Sequence, residues 1–345
     1  MPGAGLQRTR SRDGALEEAF DAAFRALDPG HARRSAATWS WRTEQVPSGA
    51  PFVTLRSQEG AVLAHYGALA QGLLVDGQRL LAGQAVDTFA AAELPRRRRA
   101  AVFQEACEAF IEDHCGVGPC GGVPASPVLP AAEVEGERFA FCYGFPVRPA
   151  WRLGRAGLGY GLVQEFLQLT RPVGAQGTAR WDLDLAVDAA WPSDLDELFR
   201  REAPPVAFER TVEWLRWRFD ADPSAPSTRV LLTRGGELAA WAVLRERKEG
   251  AASVGVVVDR FVPERDDDAA DALESALDEC ARAQGWAALA LALGEADPDL
   301  VRLQQRGWRA ELGAYALVGR SFDPRAPQDR LSRELRWTLA DTDLA

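Results

Sequence analysis

The chain has 345 residues, 47% apolar and 26% charged, which suits a soluble globular protein of about two domains and excludes fibrous, coiled-coil and disordered classes. Fifty acidic residues against 40 basic ones leave a net charge of −10, which argues against nucleic acid or an anionic membrane surface as the partner. Five cysteines cannot complete a disulfide framework, so reduced thiols are expected.

A helix is predicted over Ala15–Leu27. Strands follow at Phe52–Leu55, Ala61–Leu69 and Leu80–Phe89, the first two joined at Gln58-Glu59-Gly60, and they read as an antiparallel meander. From Arg99 to His114 the apolar residues Val102, Ala106, Ala109 and Phe110 recur at mostly helical steps. A buried strand at Phe139–Tyr143, a turn-rich or helical piece around Arg148–Ala156 and a strand at Tyr160–Leu169 complete the first half. The second half opens with helices Leu195–Glu202 and Phe208–Phe219, then strands Arg229–Thr233, Leu238–Arg245 and Ala252–Phe261. It continues with helix Asp267–Gln284, strand Ala287–Leu293, helix Asp297–Arg306 and strand Ala314–Val318. Each half is a mixed α+β pattern.

The halves are copies. Trp41-Arg42 and Pro47-Ser48 return as Trp217-Arg218 and Pro223-Ser224 at an offset of 176, and Gly60 and Ala64 return as Gly236 and Ala240 at the same offset. At an offset of 172, Gly83 to Phe89 matches Gly255 to Phe261, with Asp87 over Asp259. At 148, Gly159-Tyr160 matches Gly307-Trp308, because the first copy carries extra loop between about Gly116 and Glu137. A domain-sized period indicates duplication rather than a solenoid, with a joint near Arg171-Pro172-Val173-Gly174 and domains at 1–172 and 173–345.

Trp-Arg before the first strand, a late Asp in the third long strand, an Arg-rich turn into a helix, Gly144-Phe145-Pro146 and Gly159-Tyr160 together resemble the GNAT superfamily of N-acetyltransferases. The likeness covers nearly the whole chain and is closest to tandem members with two such domains. The resemblance implies two acyl-CoA N-acyltransferase domains, each a mainly antiparallel sheet flanked by helices. It also implies acetyl-CoA as co-substrate and a small-molecule or peptide primary amine as acceptor. By the same likeness the strand ending near Asp87 splays from Phe139–Tyr143, and main-chain groups of Val86, Thr88 and Phe89 bind the pantetheine arm. The following turn, Arg98-Arg99-Ala100-Ala101-Val102, holds the pyrophosphate at a helix N-terminus. Ala101 stands where the family's first glycine belongs and Phe103 where a small residue belongs, while Arg96 to Arg99 offer guanidinium attraction. The second copy reads Pro263-Glu264-Arg265-Asp266-Asp267-Asp268-Ala269, whose carboxylates suit the helix dipole but repel phosphate, so it is expected not to bind.

Acetyl transfer needs a neutral amine and a donor for the departing thiolate. The tyrosine that many relatives use is replaced by Arg155 and Leu303. Asp87, at the end of the strand that by the resemblance faces the cleft, is the candidate base or amine anchor, and Tyr143, the nearest substitute by residue type, the candidate acid; a turn-capping Asp, repeated as Asp259, and a half-buried strand tyrosine are the competing readings. His65 reads as a packed histidine and Cys142 as a buried thiol, and His114, Cys115 and Cys120 are too sparse for a metal site, so no metal is expected. Met1–Gly14 lacks the apolar core of a signal peptide, and no apolar run exceeds Trp286–Leu293, so no membrane span is expected. With Lys248 the only lysine beside so many arginines, the expected setting is a bacterial cytoplasm. Two other functions compete: a non-catalytic acyl-CoA- or protein-binding scaffold, and a FemAB-like aminoacyl transferase, against which the acidic balance counts.

Overall fold

The computed structural model describes residues 6–115, 138–147, 151, 154–155, 158–174 and 182–344. The expected insertion at 116–137, Cys120, and most of the piece around 148–156 lie outside these residues. The chain forms two compact units, one from Met1–Gln71, Leu80–Gly161 and Val318–Pro327, the other from Gly72–Arg79, Leu162–Leu317 and Gln328–Ala345.

The first unit contains β1 (Gln7–Thr9), α1 (Gly14–Leu27), α2 (Ala36–Thr43), β2 (Phe52–Arg56), β3 (Val62–Val75) up to Gln71, β4 (Gln78–Ala90) from Leu80, α3 (Arg96–His114) and β5 (Phe139–Gly144). Its strands run in the order β1-β2-β3-β4-β5, antiparallel except for the parallel pair β4–β5. Asp13 and Ser35 start α1 and α2 by accepting hydrogen bonds from Leu16 N and Thr38 N. Leu16, Phe20 and Ala23, on one face of α1, pack with Trp39, Val62 and Phe89. Burying a side chain the size of Phe20 contributes about 1.5–3 kcal/mol.

The second unit contains β6 (Gly161–Pro172) from Leu162, β7 (Asp184–Val187), α4 (Leu195–Glu202), β8 (Val206–Phe208) and α5 (Val212–Leu215), which runs into a π-helical turn at Arg216–Asp220. After these come β9 (Thr228–Arg234), β10 (Glu237–Glu249), β11 (Ala252–Phe261), α6 (Asp267–Ala283), β12 (Ala288–Gly294) and α7 (Asp299–Gln305). The chain ends with β13 (Arg309–Ser321), α8 (Gln328–Glu334), β14 (Leu335–Arg336) and a 3-10 turn at Leu339–Asp341. Here the order is β13-β6-β12-β11-β10-β9-β7. Leu273, Leu277 and Ala281 of α6 pack with Leu232, Ala242, Val257, Leu289 and Leu291 of the sheet.

The units do not coincide with the sequence copies. β6 pairs antiparallel with β12, from Ala288↔Pro172 to Gly294↔Phe166, so residues 162–172 belong to the second unit. In return, Val318–Ser321 at the end of β13 pair with Gly144–Phe141 of β5 and complete the first. Alternation along a strand specifies its buried face and leaves its neighbour open. The single helix expected over Phe208–Phe219 is instead the end of β8, an extended Thr211 and two helical turns. The repeated glycine has a packing cause in both units: a Cβ at Gly83 would crowd the Phe139 ring, and one at Gly255 would overlap Trp286.

Candidate functional site

In the first unit β4 and β5 pair from Leu81↔Phe139 to Gln84↔Tyr143, after which β4 runs on to Ala90 with no further β5 partner. In the second, β11 and β12 pair from Val254↔Ala288 to Val257↔Leu291, and β11 runs on to Phe261. Parting parallel strands free main-chain donors and acceptors on their facing edges. Val86, Asp87, Thr88 and Phe89 lie on the freed stretch of β4. Val86 and Phe89 bury their side chains, Thr88 is half-buried, and Asp87 adopts a φ of 56°, a conformation that Asp tolerates.

α3 follows directly. Its N-cap is Pro95, which offers no side-chain hydrogen bond, and its first turn holds no acid. The first helical bond runs from Arg99 N to Pro95 O, 2.9 Å, so the N–H groups of Arg96, Arg97 and Arg98 lack helical acceptors. Arg96 to Ala101 are exposed and Val102 is buried. Arg99 folds back to donate to Leu94 O (3.0 Å) and Ala92 O, leaving Arg96, Arg97 and Arg98 as the outward cations. Phe103 is turned towards Tyr66, their ring centroids 6.4 Å apart. In α6 the matching turn is capped by its own chain: Asp266 accepts from Ala269 N (3.0 Å) and pairs with Arg234 at 2.7 Å, and Asp267 and Asp268 fill the first turn.

Asp87 accepts from Arg34 Nη2 (2.7 Å) and from Arg42 Nη2 (3.3 Å) and Nε (3.4 Å), with its side chain 8% exposed. Burial favours its neutral form, but the Arg42 and Arg34 charges outweigh burial and hold the carboxyl well below the usual carboxylate range. Such a carboxylate accepts a proton poorly. Arg34 is stacked over Phe20 (4.1 Å) and Trp39 (4.9 Å). His65 is hydrogen-bonded to Thr54 through Nδ1 (2.9 Å), and burial, partly opposed by Asp87, pushes its pKa down to about 4. A cavity of about 20 Å³ lies among Trp39, Arg42, His65, Gly67, Val86 and Asp87, room for roughly one water. Tyr143 is fully buried rather than half-buried, stacked on Phe141, and its hydroxyl donates to Gln71 Oε1 (3.3 Å). Cys142 is buried with its sulfur 3.4 Å from that of Cys115. Arg155 is exposed.

The second unit builds the same pair and then covers it. Arg210 Nε donates to Asp259 Oδ1 (3.1 Å) and Oδ2 (3.2 Å), and Trp241 Nε1 donates to Asp259 Oδ2 (3.3 Å). Arg210 Nη1 and Nη2 grip both oxygens of Asp341 at 2.8 Å, and Thr338 Oγ1 donates to Asp259 Oδ1 (2.7 Å). Arg218 donates to the carbonyls of Ala340 (3.1 Å) and Thr342 (2.8 Å). The C-terminal segment thus seats on the two arginines, and Trp337 and Thr338 line the cavity of about 80 Å³ beside Phe261 and Leu291 to Leu293.

Arg34, Arg210 and the C-terminal partners are the residues that motif reading missed. Their signal was in the repeat, since Arg34-Ser35 and Arg210-Thr211 share the 176 offset and Ser35 and Thr211 cap their helices.

Among the described residues no helix is long and apolar enough to cross a membrane, and no three His, Cys, Asp or Glu side chains form a metal-holding group. No protein-family model matches the chain, and no curated protein is similar to it in sequence. Solved structures are similar in fold. A GCN5-related N-acetyltransferase from Anabaena variabilis ATCC 29413 is 12% identical, with a TM-score of 0.64 covering 92% of this chain and 73% of that one. Eis1 from Mycobacterium abscessus is 15% identical, with a TM-score of 0.55 covering 92% and 74%. A tandem GNAT protein from the clavulanic acid biosynthesis pathway is 11% identical, with a TM-score of 0.53 covering 92% and 99%. With two parting β-strand pairs, each leading into a helix, the chain has the tandem GNAT fold.

Proposed function

We propose that the first unit binds acetyl-CoA and transfers its acetyl group to a primary amine. The observation that carries this reading is the start of α3, where unpaired N–H groups and exposed guanidinium groups crowd the positive end of a helix immediately after the strand that parts from β5. Folding alone disfavours cations at that end, and a pyrophosphate offsets the cost. The N-acetyltransferase neighbours support the same reading.

In this proposal the free edge of β4 at Val86, Thr88 and Phe89 aligns the pantetheine arm, and Arg98 with the first-turn N–H groups holds the pyrophosphate. Ala100, Ala101 and Val102 continue that turn, and Arg99 steadies it from behind. Acetyl-CoA supplies the thioester: the amine nitrogen bonds to the acetyl carbon as the carbon–sulfur bond breaks, and the proton lost by nitrogen ends on the thiolate. Asp87 contributes charge and position near the amine rather than proton acceptance, because two arginines hold it ionised. Tyr143, buried against Gln71, keeps the floor of the sheet in place, and a water-borne proton replaces the family's tyrosine.

Calorimetric titration with acetyl-CoA and with free CoA tests the binding. Micromolar affinity at one site per chain supports it, and no heat up to about millimolar ligand overturns it. Binding without turnover on any amine would favour the second reading, a non-catalytic acyl-CoA-binding protein, for which Arg155 and Leu303 at the tyrosine positions speak.

A further inference from the structure

The two arginine–aspartate pairs differ at one edge of the guanidinium. In the second unit Arg210 binds Asp259 through Nε and Nη2 (3.0 Å) and also grips the carboxylate of Asp341 through Nη1 and Nη2, each at 2.8 Å. In the first unit Arg34, the repeat partner of Arg210, binds Asp87 through Nη2. Its Nη1 is buried and has no hydrogen-bond partner. The Trp39 ring on which it is stacked likewise keeps a buried Nε1 without a partner. Thirteen buried side-chain nitrogens and oxygens lack a partner among the described residues, and these two are the ones that share a stacked pair; a buried donor without an acceptor is costly, and an acceptor supplied there would be favoured. The Arg34 side chain is also 19% exposed against 5% for Arg210.

We propose that Arg34 is the anchor for a carboxylate on the acceptor, held as Arg210 holds Asp341, so that the amine acylated by the first unit belongs to an amino acid or a peptide with a free carboxyl group. This rests on the acetyl-transfer reading and narrows it to a substrate class. The planar fork of arginine matches a carboxylate with two parallel hydrogen bonds, a geometry lysine cannot reproduce. Asp87, bound to the same guanidinium, fixes its orientation and stands near the α-amino group of a carboxylate so held.

The test is direct binding to the full chain without any acyl donor, using the standard amino acids and a set of dipeptides, each beside its carboxamide. At least one acid should bind about tenfold or more tightly than its carboxamide, as expected for charge-assisted hydrogen bonds. Arg34→Lys should bring the two within about threefold while acetyl-CoA affinity stays unchanged. If that variant fails to fold, the Arg34 side-chain nitrogen resonances of the wild-type protein decide, shifting with the acid and staying still with the carboxamide. Equal binding of acid and carboxamide, a preference that survives Arg34→Lys, or no binding by any member up to about 10 mM overturns the anchor. Loss of acetyl-CoA binding alone would count against the transferase reading and leave this comparison to stand on its own.

Discussion

Asp87 and Asp259 sit at matching points of β4 and β11, and each is held by an arginine that directly precedes a helix cap. Around Asp259 every edge of Arg210 is engaged, with Asp341 and Thr338 of the chain's own tail closing the cluster. Around Asp87 a second arginine shares the carboxylate, and one nitrogen of Arg34 stays unpartnered. The helices after the two strands differ in the same sense: α6 is capped and acidic, α3 uncapped and basic. Duplication has kept the arginine–aspartate contact in both copies, while an unpartnered guanidinium nitrogen and an uncapped basic helix start occur at these points in the first alone.

The largest effect should come from breaking the closed cluster. Arg210→Met leaves Asp259 and Asp341 buried together without a cation, which should cost about 3–5 kcal/mol in chemical denaturation. Arg34→Met should cost less, because Arg42 still faces Asp87; equal losses would show that the two clusters are not different in kind.

A second contrast is titration. His65 stands where the second copy has Trp241, at the 176 offset, and its pKa falls from about 6.5 in the unfolded chain to about 4 in the fold. As pH drops between these values the unfolded chain takes up a proton that the folded chain refuses, so stability falls, by about 3 kcal/mol in total. Replacing His65 with Phe should flatten urea midpoints between pH 7 and 4.5. Asp87, with its pKa depressed, adds stability that is complete above about pH 3.9 and lost below it. A variant that keeps the full slope in the pH 7 to 4.5 window would assign it to another group.

Third, Arg97→Glu with Arg98→Glu should weaken acetyl-CoA binding about tenfold or more. Asp267→Ala with Asp268→Ala in α6 should leave it unchanged; an equal loss from both would place the cofactor elsewhere. The smallest effect has the opposite sign: without ligand, Arg97→Glu alone should stabilise the protein by about 0.3–1 kcal/mol, since an anion replaces a cation at a helix N-terminus. Thermal melts with and without acetyl-CoA would separate the two contributions.

Much of the fold was legible because it rests on local patterns. The helix at Asp267–Gln284 and the strand at Ala252–Phe261 were within a residue of α6 and β11, since caps and apolar periodicity act over a few residues. The long strand β3 was read only to Leu69, because its continuation to Val75 is buried along its length and gives no alternation. Of the site, Asp87 was legible from its place late in the third strand. Its partner Arg34 was not, because an arginine 53 positions away carries no local sign of where its guanidinium goes.

The amino-acid sequence by itself determined the duplication, the order of the long elements, the run of arginines leading into α3 and the acidic start of α6. These depend on residue type and spacing, which the chain carries wherever it folds. Tertiary structure alone decided that β6 and the end of β13 complete sheets outside their own sequence copies. It also decided that the tail closes the second arginine pair while Arg34 keeps an edge unpartnered. Such choices depend on which distant groups the fold brings within hydrogen-bond reach, and a buried charge is stable only where it is paired.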